Sequence, residues 1–471
     1  METQTFDCII IGAGPAGIFT ALELAEKKPE WHVLIVDSGR SIDKRTCPAR
    51  KTGVCVHCNP CAILSGWSGA GAFSDGKLTI TDEVGGHRKE YVGHETAREY
   101  INKADDIYVK FGASKEVYGK NSPEVDRISY EASKYNIRLI PSPVRHLGTE
   151  YAKTVLENRQ NYLLNKTNTV FRELTTADQI LTDEEGNAKG VTLTTQGVKG
   201  TKTVYSKHIV VAPGRGGAEW LTKEAGRIGL TTTNNEVDIG VRVECPNSVR
   251  DPLTQSLYEA KLVYYSDTYE NKVRTFCRNP GGVVSEEHYE GGLAVVNGHS
   301  YGDKSKWTNN TNFALLVSNK FTEPFHEPIL YGQNIAKLAN RLTGGPIRVQ
   351  RLGDLLQGRR TTKSRLEKST VIPTLKNAVP GDLSFVLPDR ILTSIVEALK
   401  ALDHLAPGLY SKNTLLYGVE VKFYSSKVDV DPRFRTKIKG LYAIGDGAGI
   451  TRGLRQASAT GIYVADDRTK E

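Results

Sequence analysis

The strongest hydrophobic signal in the chain is a nearly unbroken apolar run from Phe6 to Ile11 that enters Gly12-Ala13-Gly14-Pro15-Ala16-Gly17 without a gap. Such a run, too apolar to alternate, predicts a strand buried on both faces of a parallel sheet. Beyond the turn, Ile18, Phe19, Leu22 and Leu24 alternate with polar Glu23, Glu26, Lys27 and Lys28 at helical spacing, which predicts an amphipathic helix. WHVLIVD then reads as a second strand ending at Asp37. A polar, cysteine-bearing loop runs to Pro60, followed by ILSGWSGAGAFSDGKLTI (63–80), whose small residues suit backbone packed against a flat surface. Residues 90–135 are polar-amphipathic and predict helix.

From Tyr162 the pattern changes to short alternating segments broken by EEGN and QGVKG, the signature of an antiparallel meander. It closes on a buried strand, His208 to Ala212, and a second glycine turn. Residues 232–430 mix strand-like stretches (VDIGVRVEC, KLVYYSD, GGLAVVNGH) with helical pieces at 334–341 and 389–402, and Gly344-Gly345-Pro346 breaks the chain between elements. The end returns to a strand and glycine turn, GLYAIGDGAG, and a last helix, GLRQASATGIYVADD.

The first turn carries chemistry. Gly12 makes the tight turn, Gly14 lets a pyrophosphate approach the backbone, and Gly17 lets helix and strand pack closely. The helix N-terminus, with Pro15 and Ala16 in its first turn, offers partial positive charge to phosphates. Asp37 follows Gly12 by 25 residues, near the roughly 20-residue spacing of an acid that holds a ribose hydroxyl. Strand, glycines, helix, second strand and terminal acid in that order predict a dinucleotide site.

Composition narrows the class. With 39% hydrophobic and 25% charged residues the chain is neither disordered nor membrane-spanning, and no apolar run approaches the roughly 18 residues a span requires. The first strand begins at Phe6, ahead of which there is no room for a signal peptide, so the expectation is a cytoplasmic protein. The net charge of +8 is uneven. Seven basic and two acidic residues lie between Arg348 and Lys368, and Arg433, Arg435, Lys437 and Lys439 form a second cluster. These patches read as a solvated surface or as attractors of phosphates, carboxylates or nucleic acid, and Arg351, Arg359 and Arg360 as forks for an anion.

Three dispersed motifs, GAGPAG with Asp37, mid-chain VVAPGRGG after a meander, and YAIGDGAG before the last helix, resemble the two-dinucleotide-binding-domain, glutathione-reductase-like FAD flavoproteins. SGWSGAGAFSDGKLT, QRLGDLLQGRRTT and LLYGVEVKFYSSKV resemble more closely a subgroup of uncharacterised FAD-dependent dehydrogenases. The resemblance implies an α/β fold: a discontinuous, doubly wound Rossmann-like FAD-binding domain with a β-meander and an inserted mixed α/β substrate domain. Its expected layout is 1–85, 140–231 and 436–471 for the FAD domain, 86–139 for a helical segment and 232–435 for the substrate domain. It implies that Asp446 bonds the FAD ribitol and that the last helix points its N-terminus at the flavin pyrimidine. The cofactor set expected from motif and resemblance together is Gly12, Gly14, Pro15, Ala16, Gly17, Asp37, Gly71, Ala72, Gly214, Arg215, Gly445, Asp446, Gly453, Gln456 and Ala457. Pro213 stands where Thr is usual in the mid-chain motif, and a second nucleotide fingerprint for NADPH is missing. Electrons therefore come from the substrate, from a protein partner, or from nicotinamide bound without that fingerprint.

Cys47, Cys55, Cys58 and Cys61 follow C-x7-C-x2-C-x2-C, which resembles an iron–sulfur ligand run more than a zinc ribbon. Three readings stay open: a metal centre, [4Fe–4S] ahead of zinc; a redox disulfide beside the flavin; and inert reduced thiols, while His57 inside the loop reads as a surface histidine ahead of an extra ligand. Cys8, Cys245 and Cys277 read as small apolar residues. For catalysis, Lys77 is a candidate to stabilise reduced flavin or bind a carboxylate, against an ordinary salt bridge to Asp75. Strict alternation in 417–424 puts Glu420, Lys422 and Tyr424 on one strand face, as a solvent face or a pocket wall with acid–base groups, and Val419, Val421 and Phe423 on the other. The expected activity is an FAD oxidoreductase that exchanges a hydride or electron pair with a small anionic substrate, with an electron-transfer protein as partner for the cysteine relay. The alternative is a flavoenzyme that modifies nucleic acid.

Overall fold

The computed structural model describes residues 4–48, 56, 58–73, 76–120, 122–147, 149–249, 257, 261–289, 293–301, 304–322, 324, 325 and 327–470. Its chain divides into two compact units, the first formed by Met1–Val117, Val144–Asn235 and Ser425–Glu471, the second by Tyr118–Pro143 and Glu236–Tyr424. The region 86–139 contributes helices to both, Arg88–Lys110 to the first and Pro123–Ser133 to the second.

The first unit is an α/β fold around a five-stranded parallel sheet. Its strands are β1 (Cys8–Ile11), β2 (Val33–Val36), β3 (Thr169–Arg172), β4 (Ile209–Val211) and β5 (Leu441–Ala443), in the order β5-β4-β1-β2-β3. Every pair is parallel, with Ile9 opposite Ile209 and Leu34. Ile, Val and Leu fill β1, β2 and β4 because both faces of the sheet are covered and β-branched side chains pack well on a pleated surface. Four helices are labelled α1 (Pro15–Lys27), α2 (Arg88–Lys110), α3 (Thr149–Lys166) and α4 (Leu454–Thr469), and a further helix, Ala218–Arg227, belongs to the same unit. The meander Thr175–Thr182, Ala188–Thr195 and Thr201–Tyr205 is antiparallel, and its last strand pairs in parallel with Gln4–Thr5.

Two features of this unit escape the hydrophobic pattern. Helix α3 buries Ala152, Val155, Leu156 and Leu163 but also Arg159 and Gln160, so two polar residues interrupt its inward stripe and hide it from a period count. Glu23, expected on the polar face of α1, is buried instead. It accepts a hydrogen bond from Lys103 of α2 at 2.7 Å, beside an ion pair of Lys27 with Asp466 of α4 at 2.5 Å. The crossing of α1 and α4 is tight: a Cβ on Gly461 would lie 2.1 Å from the Ala16 carbonyl oxygen.

The second unit is built on an eight-stranded sheet ordered Val379–Pro380, Arg348–Arg351, Leu415–Lys422, Val237–Pro246, Asn310–Asn319, Lys272–Asn279, Lys261–Tyr265 and Ile137–Ile140. All neighbours are antiparallel except the first two strands, which are parallel. Val237, Ile239, Val241 and Val243 share one apolar core with Ile335 and Ala339 of helix Pro328–Thr343 and Ile391, Ile395 and Leu399 of helix Asp389–Asp403. Gly344, at φ +74°, ends the first of these helices in the left-handed conformation, as the Gly-Gly-Pro break predicts. Among the described residues no helix is long and apolar enough to cross a membrane.

Candidate functional site

The ends of β1, β2, β4 and β5 and the N-termini of α1 and α4 open onto a cavity of about 730 Å³, within the range of cofactor sites. Its wall includes Gly12, Gly14, Pro15, Ala16, Asp37, Gly71, Gly214, Arg215, Gly445, Asp446, Gly453 and Ala457. Residues predicted from three distant motifs thus come together in one place. Gly17 and Ala72 lie outside the wall, as do Gln456 and Lys77.

The two key glycines of the first turn differ physically. Gly12 has φ +107°, and a Cβ there would sit 2.1 Å from the Ala212 carbonyl oxygen, so the backbone admits no side chain. Gly14 has φ −74°, and a Cβ would meet nothing within 4 Å. Its missing side chain serves the cavity rather than the fold. Gly17 packs under the turn, its would-be Cβ 2.1 Å from the Gly12 oxygen.

Asp37 is a hub. One carboxylate oxygen accepts from Ala13 N–H at 2.8 Å, the other from Gly39 N–H at 2.8 Å and Gly66 N–H at 2.7 Å. The acid thereby ties the glycine turn, the end of β2 and the small-residue segment together. A carboxylate has about four acceptor positions, so three backbone bonds leave room for one further donor. Opposite, Arg215 pairs with Asp446 at 3.1 Å, an ion pair that joins the mid-chain and C-terminal motifs.

Arg45 is a residue that sequence pattern does not single out. Its buried guanidinium donates to the carbonyls of Ala62 (2.9 and 3.0 Å), Ile63 (2.9 Å), Trp67 (2.5 Å) and Gly69 (2.8 Å). These five bonds use every N–H of the fork and clamp the segment that carries Leu64, Ser65, Gly69 and Gly71 into the cavity wall. Burial drags its pKa down to about 10. The signal that points to it is an arginine just before a glycine-rich segment that must bend without secondary structure.

The other predicted residues sit elsewhere. Gln456 is buried, donates to the carbonyls of Thr81 (2.6 Å) and Val84 (2.9 Å) and accepts from Arg88 at 3.2 Å, so it holds the 81–88 loop instead of facing the cavity. Lys77 begins a short strand, Lys77–Thr79, paired with Val144–His146. Its proposed partner Asp75 lies outside the described residues. Cys47, Cys58 and Cys61 carry free thiols, while Cys55 and His57 fall outside the described residues. Among the described residues the one group of three potential metal ligands within 4.8 Å is Asp82, Glu83 and His94, which does not include the cysteines. Asp82 there is also bonded by Arg98 at 2.9 Å and Glu83 by Lys89 at 3.2 Å.

In the second unit, Glu420 and Lys422 share one sheet face, with Val419 and Val421 in the core on the other. That face is neither solvated nor open at Glu420, which is fully buried in a bidentate pair with Arg242 at 2.9 Å for both bonds. Lys422 pairs with Glu287 and Glu420, each at 3.4 Å. Tyr424 donates to Asp238 and accepts from Arg274 at 2.8 Å. Burial would raise the Asp238 pKa, but the charge of Arg274 with hydrogen bonds from Ser318 and Tyr424 outweighs it and holds the carboxyl at about 2. A register shift between Gly240 and Arg242 also brings Tyr417 opposite Arg242, where strict alternation would have turned it away from Glu420. In the basic stretch, Arg359 pairs with Asp354 at 2.9 Å and Arg351 with Asn413 at 3.0 Å, and Arg435 of the second cluster pairs with Asp431 at 2.8 Å.

Residues 236–423 match the family model described as FAD-dependent protein, C-terminal domain-like. An uncharacterized protein of Clostridium beijerinckii is 27% identical over 483 residues, covering 97% of this chain and 80% of the relative. Among solved structures, formate oxidase aligns at 14% identity and TM-score 0.46 over 99% of this chain and 98% of its own. Glycine oxidase from Geobacillus kaustophilus aligns at 14% identity and TM-score 0.39 over 98% and 94%. At this level the two structures bear on neither substrate nor mechanism. The glycine-lined cavity lies in the first unit, and the match to the C-terminal domain-like family of FAD-dependent proteins covers most of the second.

Proposed function

We propose that the chain binds FAD along this cavity and exchanges a hydride or electron pair between the flavin and a small anionic substrate. The observation that carries the reading is the convergence of the three glycine motifs on one cavity whose wall holds two helix N-termini, those of α1 and α4. In this reading the N-terminus of α1, with Gly12, Gly14, Pro15 and Ala16, takes the pyrophosphate. Asp37 offers its remaining acceptor position to the adenosine ribose, and Asp446 takes the ribitol. Gly445, Gly214, Arg215 and Gly71 line the path, and Gly453 and Ala457 border the ring at the start of α4. Gly17 contributes by close packing under the turn.

FAD supplies the two-electron chemistry when bound. The chain's own part is to orient it, exclude water and favour charge at stated places. The segment clamped by Arg45 walls one side of the cavity. The start of α4 has no side-chain cap and no acid in its first turn, so its partial positive charge is available to the ring. Glu420, Lys422 and Tyr424 enter this reading as the framework of a buried polar face, not as acid–base groups, because each is committed to a charged partner.

The cysteine loop extends the proposal. The Cys61 carbonyl accepts from Leu64 N–H (3.1 Å) and Ser65 N–H (2.9 Å), and Leu64 and Ser65 belong to the cavity wall. A cluster or disulfide on that loop would relay electrons to FAD from an external protein. The test is an absorption spectrum of anaerobically purified protein, with identification of the released nucleotide and assays for iron, zinc and sulfide. Released FAD is expected, and protein without flavin would overturn the reading. Iron with sulfide would establish the relay, and FAD without metal or a titratable disulfide would remove it.

A further inference from the structure

Behind the start of α4 lies a group of buried cations that the cavity wall does not display. Arg455, in the first turn of α4, is 2% exposed and donates to Asp105 of α2, while its Nε and Nη1 have no partner among the described residues. Asp105 is already held by Arg145 through two bonds of 2.6 Å. Arg88, 1% exposed, donates to Gln456 at 3.2 Å and to the Ala97 carbonyl, and its Nη1 has no partner among the described residues. Arg455 and Arg145 thus share the Asp105 carboxylate, and Arg88 is bonded to neutral oxygens alone. The further acid that acts on Arg88, Asp82, is itself bonded by Arg98 and by His94 at 2.5 Å.

Buried cations short of anions are costly, and the cost falls if negative charge arrives nearby. Burial already pulls both Arg88 and Arg455 down to about 10, against the partial relief given by their acids. Gly453, Leu454 and Ala457, which flank Arg455 in the first turn of α4, belong to the cavity wall, so Arg455 stands within one helical turn of the surface that a ligand meets. The charge of this group adds to the uncapped helix end, and both have the same sign.

We propose that Arg455 and Arg88 set the electron affinity of the bound flavin: they favour added negative charge at the α4 wall, so the protein binds reduced FAD more tightly than oxidised FAD. The inference rests on the reading that FAD lies in the cavity with its ring at the start of α4. Reduction by two electrons with uptake of one proton leaves one extra negative charge on the ring, and this is the charge the two arginines would meet. Neither residue is part of the cavity wall, so both act through the field and are positioning residues.

The experiment is a midpoint-potential measurement on the FAD-loaded protein, reduced with dithionite beside a reference dye, for wild type, Arg455→Gln, Arg455→Lys and Arg88→Gln. Arg455→Gln and Arg88→Gln are each expected to lower the ratio of reduced to oxidised FAD affinity about tenfold, a fall of ~30 mV for a two-electron couple. Arg455→Lys, which keeps the charge, is expected to retain most of the wild-type potential. Arg433→Gln, which removes an exposed partner of Asp467 near the other end of α4, should leave it unchanged. An unchanged potential in FAD-loaded Arg455→Gln or Arg88→Gln overturns the proposal, and if Arg455→Gln does not fold, Arg88→Gln decides. Wild-type protein that binds no FAD is a different result, since it overturns the cofactor reading itself.

Discussion

The two sheets of this protein handle polarity in opposite ways. The central strands β1, β2 and β4 of the parallel sheet in the first unit are apolar on both faces, and the sheet meets the cavity at strand ends, mostly through backbone: Gly12, Gly14, Gly214 and Gly445. The eight-stranded sheet of the second unit carries Asp238, Arg242, Glu244 and Glu420 on one face, buried and paired. To the eye the second sheet holds the more reactive residues. Their partners show otherwise. A charged side chain inside a sheet must be neutralised where it stands, and that consumes the groups that chemistry would need. The cavity at the strand ends is formed largely by glycines and small residues, and its charged members Asp37, Arg215 and Asp446 are held at the rim of strand ends rather than inside a sheet.

Four substitutions test this contrast, the largest effect first. Glu420→Ala leaves Arg242 buried without its carboxylate and should destabilise the second unit by roughly 3–5 kcal/mol. Replacing both partners by Leu and Met should recover much of that loss in chemical denaturation, as expected of a structural pair. Gly12→Ala forces a Cβ to 2.1 Å from the Ala212 oxygen at φ +107° and should cost about 3 kcal/mol or more, with loss of bound nucleotide. Asp37→Asn keeps the shape but turns an amide donor toward one of three backbone N–H groups. A loss of roughly 1.5–3 kcal/mol is expected in stability and nucleotide affinity together, read by thermal melts with and without FAD. Gly14→Ala is the sharpest contrast: its Cβ meets nothing, so stability should change by less than about 1 kcal/mol while FAD affinity falls. Equal loss of stability at Gly12 and Gly14 would erase the distinction between a glycine needed by the fold and one needed by the ligand.

The second sheet also sets an acid limit. Asp238 has its pKa held at about 2, below the ordinary aspartate value, so its contribution is full above that ordinary value and is lost as pH falls toward 2. The size is on the order of 2 kcal/mol. Arg274→Gln should therefore flatten the dependence of stability on pH between about 4 and 2, whereas an unchanged acid limb would show that the pair does not set it.

Much of the cavity is legible in the order of residues alone. Each glycine motif follows a buried strand, and a strand–glycine–helix unit is local enough for pattern and spacing to reveal it. Gly12, Asp37, Arg215 and Asp446 all stand out in this way, and all lie on one wall. Gln456 and Lys77 lie off that wall because neighbours along a helix or strand point to different sides, and only packing says which side faces the ligand. Glu23 departs from its pattern for the same reason, since α2 and α4 cover the face that a lone helix would give to water.

By itself the sequence determined the local units: apolar runs that must be buried, turns that only glycine can make, the meander, and the acid at the end of β2. Those follow from steric limits and hydrophobic periodicity, which act over a few residues. Tertiary structure alone decided which polar groups meet. Arg45 finds carbonyls up to 24 residues away, Arg242 finds Glu420 across 178, and Arg455 shares Asp105 with Arg145 across 350. Charge pairing depends on distance in space and on local burial, and neither is written in the order of residues.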